Sequence, residues 1–465
     1  MPAEVAAELA ELIGEHRVST HPADLHRHAI DWSASALIAK RSDAGYRLPG
    51  CVVRPRSVDQ VSSILAWAER TRTPVVPYGG GSGVVGSISG GGAVVIEMRA
   101  MNEIMDFDEK SRLVRAEAGV SGPDLREALA NWGFTLGHEP QSIEISTLGG
   151  WIATKATGQL SARYGGIEKM IVGLEAVLPG GRVVRSTVAP RRATGPDIAS
   201  LMIGSEGTLG IVTEATLRVS PLPGERADAC VRFEHMSDGV SACRALAQSD
   251  LDPSVVRLYD REDTAIFMRD QPNDSMDPLL LLSFDGRDAL DRCERAVTLT
   301  GGASGDEAIM SQWWDERNDA VNAYRDLMAG KGILGPHALV DTIEVSGTWT
   351  VLRGLYHSMK EALTPLADVC GCHISHVYPD GACLYFTLAS APTDDEAALE
   401  LLDRWWDVAM TTCVAAEGSI SHHHGIGRRK AAWLPHELDG WWHVLVAVKR
   451  ALDPHGIMNP GALGL

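Results

Sequence analysis

No run of eighteen apolar residues occurs in this 465-residue chain, so no segment is expected to cross a membrane as a helix. A basic surplus is also missing. Lys and Arg number 42 against 61 Asp and Glu, a formal net charge of -19. A general nucleic-acid binder needs a basic surface to displace counterions, and that class is excluded. Anionic small molecules are not, because a few local arginines and backbone N–H groups can hold a phosphate. Cysteine is sparse. The eight residues, at 51, 230, 243, 293, 370, 372, 383 and 413, form no dense disulfide framework. Cys370-Gly371-Cys372 is a CxC with no matching pair elsewhere, and reads as two reduced, buried thiols rather than half of a zinc site. The first twenty residues lack a basic stretch followed by an apolar core, and read as an amphipathic helix rather than a secretory signal. A cytoplasmic location is expected by elimination. Internal repeats and low-complexity tracts are absent too.

What is present suits two domains with extensions. Hydrophobic residues make up 45%, ample for a sizeable core. Residues 1–48 read as a helical, then irregular, lead-in. From Cys51 short β-rich runs alternate with helical ones (CVVRP, VDQVSSILAWAERT, PVVPYGGG, AVVIEM), and further strands follow to about residue 222. Pro221, Pro223 and Gly224 then punctuate the chain. Over 223–416 amphipathic helices such as DEAALELLDRWWDVAMTTCV alternate with strands such as ACLYFTL. This predicts an antiparallel sheet with helices on one face, an α+β fold class overall. Residues 417–465 form a last segment, opening on a histidine-rich loop.

The strongest local signal is PVVPYGGGSGVVGS, residues 74–87. Consecutive glycines after a strand leave backbone N–H groups unobstructed, a nest for phosphate oxygens. Gly81, Gly83 and Gly86 spell GxGxxG, but that fingerprint must open a helix. Here SISGGGAVVIEM follows, glycine-rich and then strand-like. A P-loop is excluded because no lysine ends the motif. GHEPQSIEISTLGGWIATKATGQ (137–159), ATGPD (193–197) and IGSEGTLGIVTEA (203–215) add small polar residues suited to close approach by a flat, polar-edged ligand.

Together these segments resemble the FAD domain of the p-cresol methylhydroxylase (PCMH) type, found in the vanillyl-alcohol oxidase superfamily. The likeness spans about 49–222. Within that superfamily the chain is similar to the alkyldihydroxyacetonephosphate synthases over nearly its whole length. GHEPQSIEISTLGGW, IGSEGTLG, SVVRLYD, DGACLYF and SISHHHGIG carry the likeness. The resemblance implies a two-subdomain FAD-binding domain at 49–222, an antiparallel cap domain for substrate at 223–416, and a segment at 417–465 that returns to the FAD domain. It implies FAD contacts from Pro77, Tyr78, Gly79, Gly80, Gly81, Ser82 and Gly83. A second group is Gln141, Ser142, Ile143, Glu144, Ile145, Ser146 and Thr147, and a third Thr154, Lys155, Ala156 and Thr157. The fourth is Glu206, Gly207, Thr208, Leu209, Gly210, Ile211 and Val212. It also implies catalytic roles for Tyr385, His422, His423 and His424, and substrate binding by Arg257 and Arg325. Relatives that attach FAD covalently use a His or Cys, often beside the glycine loop. Val75 to Ile88 contains neither, so FAD is expected to be non-covalent. The implied reaction exchanges the acyl group of acyl-dihydroxyacetonephosphate for a long-chain alcohol, with no net redox. The alternative is a D-2-hydroxyacid dehydrogenase or oxidase on the same fold. Those relatives hold a metal through a His-rich segment and a Glu-His-Gly segment. Here His423 stands where the glutamate would be, so no metal is expected.

The residue types fit such chemistry. Imidazoles serve as acid or base near neutral pH, and a phenol does so when its pKa is tuned. Arginine offers paired donors to phosphate and stays charged. Each also has a plainer reading: buried structural histidines, a packed strand tyrosine, surface ion-pair arginines. In an extended segment His422 and His424 would share one face, with His423 opposed. A small-molecule or lipid substrate is expected. Peripheral membrane contact and a homodimer both stay open.

Overall fold

The computed structural model describes residues 2–42, 45–268, 275–305 and 308–465. The FAD-type half is built from two lobes. In the first, three parallel strands run in the order Cys51–Val53, Val94–Glu97, Val75–Tyr78. Their continuous apolar runs suit strands buried on both faces. Ser57 caps the crossover helix Val58–Thr71, accepting from the Gln60 N–H, and Val61, Ile64, Leu65 and Ala68 face the core. The lead-in is part of this lobe. Val18–Ser19 pairs antiparallel with Cys51–Val53, and Leu9 and Ile13 join the same core.

The second lobe is a five-stranded antiparallel sheet. Its order is Ile104–Asp108, Leu113–Glu117, Ile211–Arg218, Ile171–Val177, Val183–Arg185. The glycine loop follows Val75–Tyr78 of the first lobe and lies against residues 145–147. A Cβ on Gly80 would fall 1.9 Å from the Ile145 carbonyl oxygen, so only glycine permits this approach.

The cap is a seven-stranded antiparallel sheet. From its second strand the order is Arg226–Arg232, Leu279–Asp285, Val255–Tyr259, Val369–Tyr378, Gly381–Ser390, Leu339–Thr348, with Ala303–Ser304 on the outer edge. Alternation sorts its faces. Val256, Leu258, Cys372, Ile374, Leu384 and Phe386 pack under the helices Met236–Ala247, Ala289–Thr300, Trp349–Leu363 and Asp395–Ala415. Arg257, Tyr259, His373, Tyr385 and Thr387 face a cavity instead. A bulge between Ile374 and His376 breaks the alternation and puts Ser375 and His376 both on the cavity side.

The chain then returns to the first lobe. Ile457 accepts from the Val75 N–H, and Asn459 donates back to the Val75 carbonyl. All eight cysteines are buried, and none is in a disulfide. Among the described residues no helix is long and apolar enough to cross a membrane.

Candidate active site

A cavity of about 690 Å³ runs between the FAD-type half and the cap sheet. That volume lies within the range typical of sites that bury a large ligand. One end is the glycine loop, and Pro77 through Gly83 all line it. The backbone N–H groups of Gly80, Gly81, Ser82 and Gly83 make no hydrogen bond to the described residues. Four successive unpaired donors on a cavity wall need an acceptor. A pyrophosphate meets that need, so the residues present fit FAD.

The other implied FAD contacts divide. Gln141, Ser142, Ser146, Thr147, Thr154, Ala156, Thr157, Glu206, Gly207, Gly210, Ile211 and Val212 line the cavity. Ile143, Glu144, Ile145, Lys155, Thr208 and Leu209 do not. Ile143 and Leu209 turn into the core of the second lobe, Glu144 pairs with Arg126, and Lys155 caps a short helix in the left-handed conformation. Of the segment 193–197, Thr194 to Asp197 line a separate pocket of about 460 Å³.

Opposite the glycine loop the cap contributes Arg257, His373, His376 and Tyr385, and the loop after it contributes His423 and His424. The Tyr385 ring stacks on His373, centroids 4.6 Å apart, and meets His424 edge-on at 5.4 Å. Burial pushes the phenol up to about 12, so it carries its proton at neutral pH. Burial pulls His424 down to about 4 and His423 to about 3. Both are neutral imidazoles at pH 7. Nδ1 of His424, Oγ of Ser375 and Oε1 of Gln159 are buried without a protein partner. All three belong to residues of the cavity wall, where a ligand can satisfy them.

His422 departs from the sequence expectation. It turns away from the cavity, its Nε2 2.8 Å from the Tyr378 hydroxyl and its ring stacked on His376. The loop is not extended, so alternation does not hold. It curls around Glu344, whose carboxylate accepts the N–H groups of His422, His423 (3.4 Å) and His424 (3.1 Å) and the Ser421 hydroxyl (2.8 Å). Lys430 completes the shell at 2.7 Å, both side chains fully buried. Burial alone would raise the Glu344 carboxyl, but Lys430 and the neighbouring histidines hold it well below the usual range. From the other half, Glu206 accepts the N–H groups of Ile426 (2.7 Å) and Gly427 (2.9 Å) and the Ser87 hydroxyl (2.7 Å).

Arg325 is not in the wall. It is exposed, and its guanidinium lies over the Trp32 ring, 4.7 Å from the centroid. Arg317, which the sequence reading passed over, does line the cavity. Its guanidinium meets Glu139 at 3.7 Å, the Trp314 carbonyl and the Trp314 ring. Glu344, Lys430, His373 and His376 were also missed. The signal for Glu344 was a charged residue inside the apolar strand run LVDTIEV. For His373 it was the polar alternation in CHIS. His376, His422 and His423 bring ring nitrogens within 4.8 Å of one another. The expectation of no metal weighed consecutive histidines and the missing glutamate, and it did not foresee this grouping.

A flavoprotein of the vanillyl-alcohol oxidase type is what this fold and cavity define. The chain belongs to the FAD-linked oxidase family: residues 222–463 match the model for FAD linked oxidases, C-terminal domain, and 49–187 the FAD binding domain. FAD is its cofactor, and it is an enzyme. It is 31% identical to the uncharacterized FAD-linked oxidoreductase YgcU of Escherichia coli K12, across 99% of this chain and 98% of that protein. It is 30% identical to alkyldihydroxyacetonephosphate synthase of Caenorhabditis elegans, across 88% and 75% respectively. The cytochrome-linked D-lactate dehydrogenase of Arabidopsis thaliana is 28% identical across 90% and 73%. Among solved structures, an alkyldihydroxyacetonephosphate synthase superposes with a TM-score of 0.79 at 26% identity, covering 98% of this chain and 84% of that one. A p-cresol methylhydroxylase shares the fold at 15% identity, with a TM-score of 0.75.

Two outcomes are expected here. With no His or Cys between Val75 and Ile88, acid precipitation should leave the yellow colour in the supernatant; a yellow pellet would show a covalent link. Acid should also destabilise the fold. Burial holds His138, His422 and His423 at about 3, His373 and His424 at about 4, and His376 well below its usual value. Their unfolded-state value is about 6.5. Below that, the unfolded chain binds protons that the folded chain does not, so stability falls with pH down to about 4. Each histidine contributes up to about 1.4 kcal/mol per pH unit. A melting temperature flat between pH 7 and 5 would contradict this.

Proposed function

We propose that this enzyme exchanges the acyl group of acyl-dihydroxyacetonephosphate for a long-chain alcohol. One observation carries the reading. A protonated phenol and a neutral imidazole with an unpartnered nitrogen, Tyr385 and His424, meet on the cavity wall that also carries Arg257. That is a proton donor and a proton acceptor beside a cation.

Bound FAD supplies an electron-accepting ring system for a reaction with no net redox. The protein supplies the rest. Nδ1 of His424 takes the proton from the substrate carbon that bears the ester. The Tyr385 hydroxyl donates a hydrogen bond to the departing carboxylate, which lowers the cost of its developing charge. The alcohol oxygen bonds to the carbon the carboxylate left, the imidazolium of His424 returns its proton to that carbon, and the alcohol's hydroxyl proton leaves with the carboxylate. Arg257 and Arg317 meet anionic oxygens of the substrate. Ile266, Phe267, Trp313, Val321 and Leu327 line the same cavity and suit an alkyl chain.

The test is to incubate holoenzyme with palmitoyl-dihydroxyacetonephosphate and labelled hexadecanol, without electron acceptor. Release of palmitate with equal formation of the labelled ether supports the proposal. A second reading, oxidation of a D-2-hydroxyacid, is favoured by the His376, His422 and His423 grouping, because three imidazoles suit a borderline divalent ion. One equivalent of zinc in the purified protein, with flavin bleaching by D-lactate, would replace the first reading with the second.

The arginines separate by variant. Loss of a charge-assisted contact costs on the order of 1.5–3 kcal/mol, a ten- to hundredfold change in KM. Arg317→Ala is expected to show a loss of that size with FAD content unchanged. Arg325→Ala should show a several-fold smaller one, since Arg325 is exposed and stacked on Trp32. The reverse ranking would put Arg325 at the substrate.

A further inference from the structure

Behind the residues used above lies a buried polar line in the cap. His373 places Nδ1 2.6 Å from a carboxylate oxygen of Asp263. Its Nε2 lies 2.8 Å from Nη2 of Arg257. A guanidinium only donates. Nε2 is therefore the acceptor, and the one ring proton of the neutral imidazole sits on Nδ1, donated to Asp263. The partners fix the tautomer. Asp263 is itself fixed. Its N–H caps onto Asp260 at 2.9 Å, and a Cβ on Gly371 would come within 2.7 Å of its carboxylate.

Arg257 is held at a second point, with Nε donating to the Tyr259 hydroxyl at 2.7 Å. Its remaining terminal nitrogen, Nη1, has no hydrogen-bond partner among the described residues. Arg257, Asp263 and His373 are each no more than 9% exposed, and all three line the cavity. A buried guanidinium clamped on two nitrogens, with a third unpaired at a cavity wall, is arranged to receive an anionic oxygen.

We propose that His373 is a positioning residue: locked as its Nδ1–H tautomer by Asp263, it orients Arg257 so that Nη1 meets an anionic oxygen of the substrate. The inference rests on this cavity being the active site and is independent of which acyl group is exchanged.

Two variants test it in the holoenzyme. His373→Phe keeps a ring against Tyr385 and removes both hydrogen bonds. His373→Gln returns an acceptor towards Arg257. Inorganic phosphate is titrated against the flavin absorbance, and KM and kcat are measured for the exchange reaction. In His373→Phe, phosphate should bind about tenfold or more weakly and KM rise by a similar factor. FAD content and kcat should change by less than about threefold, because the ring stack is retained. His373→Gln should recover most of the phosphate affinity. Unchanged phosphate affinity in His373→Phe overturns the proposal. So does a wild-type flavin spectrum indifferent to phosphate, or a joint loss of FAD and kcat that Gln does not rescue. Absence of exchange in the wild type counts against the proposed reaction, and the phosphate titration still decides the role of His373.

Discussion

Tyr385→Phe is expected to lower turnover by roughly 10²–10⁴-fold while FAD content and fold are retained, the range for loss of a positioned proton donor or acceptor. The phenol faces the cavity from the strand Gly381–Ser390, whose alternate residues Leu384 and Phe386 belong to the core beneath. Removing one oxygen leaves that packing and the stack on His373 intact. His424→Ala should cost a similar factor, because its unpartnered Nδ1 is the acceptor on the same wall. The two rings are in edge contact at 5.4 Å. Residues acting as one unit are not additive, so the double variant should lose much less than the product of the single losses. Full additivity in kcat would mean that the two groups act in separate steps.

Glu344→Gln is expected to destabilise the protein by about 3–5 kcal/mol, the cost of leaving one partner of a buried ion pair uncompensated. Lys430 is fully buried against it, and three consecutive N–H groups and a hydroxyl also depend on the same carboxylate. The histidine loop should loosen, so activity falls further than stability alone explains. Adding Lys430→Met removes the unpaired charge and should restore part of the melting temperature without restoring turnover. Recovery of both would show that Glu344 serves the fold alone.

Much of this was legible in the chain. The glycine run after PVVPY announces an anion nest, because unpaired N–H groups and close backbone approach follow from glycine itself. The α+β fold and the antiparallel cap follow from period-two alternation in strands such as ACLYFTL. The curl of the histidine loop was not legible, since it depends on Glu344, 78 residues away from His422. The presence of His376 at the cavity depends on a bulge, which no period announces. Arg317 and Arg325 look equivalent in sequence. Only the packing of their neighbours puts one in the wall and the other over Trp32.

The return of residues 457–459 to the strand Val75–Tyr78 sets a timetable for folding. Asn459 donates to the Ser87 carbonyl, 372 residues earlier, and to the Glu206 carbonyl, 253 residues earlier. Contacts of such separation close late, because the intervening chain must first be gathered in. The first lobe is therefore completed only after the cap that follows it in sequence. Until then its strand edge at Val75 and its glycine loop stand uncovered, open to strand addition by other chains. During synthesis and refolding, the hazard of misassembly sits in this lobe, and its remedy arrives 372 residues after Ser87.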